Sequence, residues 1–169
     1  DNYRFILDHS FRSLIPFDRE WSFVGNYLEF EGLRFRDTLS VTMERRGDFS
    51  SIRVPPLIIQ PLVENALKHG VLRRGGDGVV EVMAARNGAK VIVDVRDNGP
   101  GLAGSSIFSR SLGNIRNRLE HCFVDVAVTA RECSGGGVVA SLSFRIDRPS
   151  VKPDGRGEPS CKNVISTRC

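Results

Sequence analysis

Asn65, Lys68 and His69 fall at i, i+3 and i+4 of Glu64-Asn65-Ala66-Leu67-Lys68-His69-Gly70, a stretch whose apolar residues recur at helical spacing. An amide oxygen, an ammonium and an imidazole therefore share one side of the expected helix, with the apolar residues on the other. Mg²⁺ takes oxygen ligands and keeps several waters while bridging substrate phosphates, a task that one Asn carbonyl oxygen on a rigid helix can assist. Lys68 would meet a phosphate as a point charge, and Glu64 beside Asn65 is placed as a general base. The same spacing also describes a helix with nothing more than a solvated polar face. A second group is Asp97-Asn98-Gly99-Pro100-Gly101. Asp97 continues the face set by Val91, Val93 and Val95, which turns its carboxylate toward the buried side, where an unpaired charge is costly. It needs a donor. The exocyclic amino group of adenine is one, and Gly99 and Gly101 would let backbone approach a flat ring with no Cβ in the way. The alternative is a type I or II turn in which these residues serve geometry only. Third, Leu112-Gly113-Asn114 follows a Gly/Ser-rich stretch and opens a periodic segment. Free N–H groups at a helix start favour phosphate, although every helix start offers them.

Positioning these groups requires an ordered scaffold, and the periodicities supply one. Phe17, Trp21, Val24, Leu28 and Phe35 keep helical spacing behind Asp18, an expected N-cap, while Tyr3, Ile6, Leu7 and Leu14 suggest the end of an earlier helix. From Thr38 the period becomes two, with Leu39, Val41 and Met43 opposite Ser40, Thr42 and Glu44. Leu57 to Val71 is apolar on a helical period, with Gly70 near its end. Val79 to Arg86 and Ala89 to Asp97 flank Asn87-Gly88, a dipeptide suited to a type I′ hairpin turn. Residues 99 to 110 lack periodicity and predict a mobile loop, after which Leu112, Ile115, Leu119 and Cys122 mark a helix. Val126, Val128 and Ala130, then Ser134-Gly135-Gly136-Gly137, then Val138 to Ile146 describe a second hairpin. The expected fold class is α+β: a two-layer sandwich of a mixed, mostly antiparallel sheet with helices on one face.

The composition fits one core with little to spare, since the 169 residues are 40% hydrophobic. The 24 basic residues outnumber the 20 acidic ones without forming the Lys/Arg blocks of a nucleic-acid arm, so no nucleic-acid partner is expected. Cys122, Cys133, Cys161 and Cys169 show no C-x-x-C spacing, which suggests a reducing, cytoplasmic setting. No run reaches the roughly 18 to 20 apolar residues of a spanning helix. The sequence opens at Asp1 without a signal-peptide pattern and reads as a segment of a longer protein, leaving room for a membrane anchor upstream.

Taken together, Pro61-Leu62-Val63-Glu64-Asn65-Ala66-Leu67-Lys68-His69-Gly70, Asp97-Asn98-Gly99-Pro100-Gly101 and Leu112-Gly113-Asn114-Ile115-Arg116-Asn117-Arg118-Leu119 closely resemble the ATP-binding domain of sensor histidine kinases. Asn26 to Phe35 and Pro55 to Gln60 look like the LytS-like branch, whose members commonly sit on membrane-anchored sensors. The resemblance covers residues 1 to about 147. It implies the Bergerat-type (GHKL) fold, ATP and Mg²⁺ as cofactors, Asn65 as metal ligand, Asp97 as adenine contact, and Gly99 and Gly101 shaping the pocket. Glu64, Asn65, Lys68 and His69 form the implied catalytic set, and Lys68, His69, Leu112, Gly113 and Asn114 join the nucleotide contacts. The implied division is 1–37 as the end of a helical dimerisation and phosphoacceptor region with a linking helix, 38–147 as catalytic domain, and 148–169 as a flexible tail. A response regulator and a homodimer through upstream helices are the implied partners. In two places the chain departs from the pattern. Ser109 and Ser111 stand where the family has glycines, with Gly113 displaced toward the helix. His9, His69 and His121 all lack the surroundings of the phosphorylated histidine, which places the acceptor outside this chain. The alternatives are a degenerate nucleotide-binding regulatory module and a related ATP hydrolase. In hydrolases of this fold a carboxylate stands one turn before the Mg²⁺ asparagine, and here Pro61 occupies that position.

Overall fold

Alternating apolar residues build the sheet as the sequence predicts. The computed structural model describes residues 14–35, 38–71, 77–102 and 106–146, without the side chains of 69–71 and 106–109. The pattern at 3 to 14 (apart from Leu14), His9 and the tail from 148 lie outside the described residues. In chain order the elements are β1 (Ile15–Pro16), α1 (Phe17–Arg34), β2 (Leu39–Arg46), β3 (Arg53–Val54) and α2 (Gln60–Asn65), which runs into a π-helical turn (Ala66–Val71). They continue with β4 (Gly78–Asn87), β5 (Lys90–Asp97), α3 (Ser106–Glu120), β6 (Val124–Glu132) and β7 (Val138–Arg145). Five strands form one sheet in the order β2-β4-β5-β7-β6, and β1 pairs with β3 in a separate two-stranded ribbon. β2 runs parallel to β4, while the β4/β5, β5/β7 and β7/β6 pairs are antiparallel, so the sheet is mixed and mostly antiparallel. The fold is an α+β sandwich.

One face of the sheet is apolar because every second residue is. Val80, Val82 and Ala84, Val91, Val93 and Val95, and Val138, Ala140, Leu142 and Phe144 are buried in one cluster with Phe17, Val24 and Leu28 of α1, Leu62 of α2 and Ile115 and Leu119 of α3. At about 25 cal/mol per Å² this face dominates the stabilisation. The opposite face carries Thr42, Glu44, Glu81, Met83 and Arg96, with Arg96 3.7 Å from Glu81. Among the described residues no helix is long and apolar enough to cross a membrane.

Four local features differ from expectation, each for a nonlocal reason. Asp18 does not cap α1, whose N-cap is Pro16; it sits in the first turn and pairs with Arg45 of β2. The first hairpin turns one residue later than Asn87-Gly88. Asn87 pairs with Lys90, leaving Gly88-Ala89 as the loop with only Gly88 at positive φ, the pattern of a type II′ rather than a type I′ turn. The helix expected from Leu57 begins only at Gln60, because Leu57 adopts φ +58° and the N–H groups of Leu57, Ile58 and Ile59 are taken by the Glu20 carboxylate (2.8, 2.8 and 3.0 Å). The stretch read as loop to residue 110 is helical from Ser106.

The Gly-rich turn before β7 closes against the end of β5. A Cβ on Gly137 would lie 2.0 Å from the Asp97 carbonyl oxygen, and its φ of +85° already excludes most side chains. Gly137→Ala is expected to cost at least about 2 kcal/mol of unfolding free energy, from overpacking and backbone strain together. Gly113→Ala, at an exposed helical position with open space around it, should instead be stabilising by up to about 1 kcal/mol. Urea unfolding of both variants checks this, and equal effects of the same sign would contradict the assigned geometry.

Candidate nucleotide site

Two buried polar side chains mark the site, Asn65 and Asp97, which are 8% and 6% exposed. Asn65 is the last α-helical residue before the π turn, and that turn packs on β4 and β5, the strand that ends in Asp97. Both therefore belong to the helix-covered side of the sheet. A buried polar atom without a partner costs about 1–3 kcal/mol, and the Asn65 amide nitrogen has none. A short helix is held here by its neighbours. Ile58, Ile59, Leu62 and Val63 are fully buried, Glu20 receives the three N–H groups ahead of Gln60, and Arg118 of α3 donates to the carbonyls of Leu57 (3.2 Å) and Pro56.

Asp97 has a partly satisfied carboxylate. Gly99 N–H donates to its Oδ1 at 2.8 Å, and Val138 N–H supplies a second backbone hydrogen bond. Burial raises the Asp97 pKa above the ordinary 3.8, and these two donors offset that only in part. A carboxylate offers about four lone-pair positions, so two donors leave acceptor capacity for a ligand. Asn98, which the sequence reading left without a role, ties the strand ends together. Its Oδ1 accepts from Val79 N–H at 2.9 Å and its Nδ2 donates to the Asp77 carbonyl at 3.0 Å. Gly101 has φ +105°, and a Cβ there would meet Glu132 Oε1 at 2.7 Å; that same oxygen accepts from Leu102 N–H. Glycine at 101 is thus required by the fold itself. Glu132 and the Gly136-Gly137 turn are not legible as site residues in the sequence because their partners lie 30 to 40 residues away.

The structure does not bring the remaining candidates together in the expected way. Lys68 Nζ, on an exposed side chain, bonds Glu64 Oε2 at 2.9 Å, and that hydrogen bond raises the ammonium pKa. Glu64 also accepts from Gln60 Nε2 at 3.0 Å, so Gln60, Glu64 and Lys68 form one i, i+4 row. The His69 side chain lies outside the described residues. Leu112, Gly113 and Asn114 sit inside α3 rather than at its N-terminus. A chain already helical at Ser106 commits the N–H groups of 112–114 to its own i→i−4 ladder. Among the described residues no three His, Cys, Asp or Glu side chains are grouped to hold a metal ion.

No family model matches the chain. By sequence it is 36% identical over 137 residues to YwpD of Bacillus subtilis (strain 168), an alignment covering 75% of this chain and 49% of that protein. It is 32% identical over 100 residues to the sensor protein LytS of Staphylococcus haemolyticus, covering 59% and 17%. By structure it resembles the catalytic domain of histidine kinase ThkA, with a TM-score of 0.57 at 14% identity over 79% of this chain and 95% of that one. ThkA in complex with the response regulator protein TrrA gives the same TM-score at 18% identity, over 80% and 42%. At those identities the structural likeness establishes the fold. The chain spans about half of YwpD and less than a fifth of LytS. The sequence relatives include LytS sensor proteins and the neighbours by fold include histidine kinase catalytic domains, so this chain is similar to the LytS-like sensor histidine kinases and shares the fold of a histidine kinase catalytic domain.

Proposed function

We propose that this chain binds Mg-ATP and supplies the catalytic half of a histidine kinase, transferring the γ-phosphoryl group to a histidine outside the chain for relay to a response regulator. The observation that carries this reading is the pairing, on the covered side of the sheet, of a buried carboxylate with spare acceptor capacity and a buried amide whose nitrogen has no partner. Asp97 accepts from the adenine amino group. Asn65 would hold Mg²⁺ through its amide oxygen, and the ion would supply charge neutralisation for the phosphates. Lys68 leaves Glu64 to meet phosphate, and His69 lies one residue further along the same turn. The N–H groups at the start of α3, nearer Ser106 than Asn114, take the place first assigned to Leu112, Gly113 and Asn114. Gly99 and Gly101 shape the loop between. The chain thereby binds and aligns, and the transfer breaks the bond from the γ-phosphorus to its bridging oxygen as the bond to an imidazole nitrogen forms.

The arrangement 1–37, 38–147 and 148–169 is part of the proposal, with α1 as the joint that is packed into the core by Phe17, Val24 and Leu28. So are a cytoplasmic location below a membrane anchor, dimerisation through upstream helices, and a regulator partner, which rest on the likeness to LytS and on the ThkA complex. A hydrolase is the poorer fit. Pro61 stands one turn before Asn65 and Glu64 is engaged by Lys68 and Gln60.

Titration with a fluorescent ATP analogue, with and without Mg²⁺, tests nucleotide binding and separates a kinase from a module that no longer binds. Asn65→Ala is expected to weaken binding about tenfold or more at saturating Mg²⁺ and much less without it; equal affinity of the two proteins in Mg²⁺ contradicts the role given to Asn65. For Asp97 the direction with pH follows from its raised pKa. The folded domain holds this proton more tightly than the unfolded chain, so the ionised group costs stability at neutral pH, a cost that disappears as pH falls through the raised value toward 3.8. Nucleotide binding needs the ionised acceptor and should weaken over that same window. The ratio of wild-type to Asp97→Asn affinity removes the titration of the nucleotide's own phosphates. A ratio that stays constant from neutral pH down to about 4 contradicts the adenine role.

A further inference from the structure

Glu20 lies in the first turn of α1, yet its carboxylate is 1% exposed and is spent entirely on another element. Oε2 accepts from Leu57 N–H, and Oε1 accepts from Ile58 and Ile59 N–H. These three residues are the whole of the bend that delivers the chain to Gln60, and Leu57 holds its positive φ there. Arg118 of α3 donates to the carbonyls of Pro56 and Leu57 at the same bend. Donors and acceptors of the four-residue segment 56–59 are therefore gripped by side chains from two different helices. A six-residue α-helix cannot define its own position, since isolated helices of that length do not form in water. The placement of Asn65 at its far end depends on what fixes its start, together with the burial of Leu62 and Val63 and the packing of the π turn on β4 and β5.

We infer that Glu20 is a positioning residue for nucleotide binding, through which α1 sets the placement of the Asn65 amide at the Mg²⁺ site. This rests on the reading given under Proposed function. Arg118 holds two carbonyls at the same bend, so α1 and α3 both bear on one nucleotide ligand. Glu20 touches neither phosphate nor metal and acts only through the 57–65 segment.

The test compares Glu20→Ala, Glu20→Gln and Leu142→Ala, the last removing core packing in β7 without touching the bend. Each is titrated with the ATP analogue, with and without Mg²⁺, at a temperature where circular dichroism shows it folded. Glutamine keeps one acceptor oxygen for Ile58 and Ile59 but turns an amide N–H₂ toward Leu57 N–H. Glu20→Ala is expected to lose roughly tenfold in affinity with Mg²⁺ and clearly less without it, with Glu20→Gln regaining part of that loss. Leu142→Ala should melt earlier and bind as the wild type does. Wild-type affinity in folded Glu20→Ala, or equal losses with and without Mg²⁺, overturns the inference; if the alanine variant does not fold, wild-type affinity and Mg²⁺ dependence in Glu20→Gln do so. A wild-type chain that binds no nucleotide fails at the earlier reading, and this inference falls with it.

Discussion

A carboxylate on the apolar face of a sheet is costly to bury, and the architecture around Asp97 is organised by that cost. The parity of β5 that buries Val91, Val93 and Val95 buries Asp97 as well. The strand cannot be shifted by one residue without exposing the valines, so the charge cannot be moved out to solvent. Backbone comes to it instead. Gly99 folds back to donate, Val138 donates from β7, and Gly137 brings the hairpin turn to a separation that admits no side chain. Asn98 then fastens the start of β4 to the same corner.

The distribution of buried polarity extends the same logic. Among the described residues the buried polar or charged side chains are Glu20, Glu31, Asn65 and Asp97. Glu20 holds the start of α2, Asn65 ends it, and Asp97 closes the strand beneath the π turn. Glu31 contributes to the field that raises the Lys68 pKa, after the Glu64 hydrogen bond that dominates it. The rest of the core cluster is hydrocarbon and cysteine. Three of the four, Glu20, Asn65 and Asp97, lie along the segment and strand that the proposed nucleotide site uses, and such a concentration of buried polar groups is the pattern expected of a functional site. The π turn after Asn65 is a second departure from regular structure at that spot.

How much of this was legible follows from how local each cause is. Period-two alternation in residues 39 to 44, 91 to 97 and 138 to 144 read correctly because the face of a strand depends on parity alone. The parity of Asp97 was legible for the same reason. The bend at 57–59 was not, since its cause is Glu20, 37 to 39 residues away. Residues 106 to 111 have a composition that argues for a loop, yet the fold makes them helical and moves the free N–H groups away from Leu112, Gly113 and Asn114. Helical spacing alone does not show that Lys68 Nζ bonds Glu64 rather than standing free for a ligand. Parallel pairing of β2 with β4 left no mark in either strand.

Whether this corner of the molecule receives the nucleotide is tested most directly by titrating ¹⁵N-labelled protein with a non-hydrolysable ATP analogue and Mg²⁺, followed amide by amide. The largest shifts are expected at the backbone of Asp97, Gly99 and Gly101, at the side-chain amide of Asn65, and at the first turn of α3, with little change on the open sheet face at Thr42, Glu81 and Arg96. Shifts confined to that open face, or none at saturating analogue, would contradict this placement of the nucleotide.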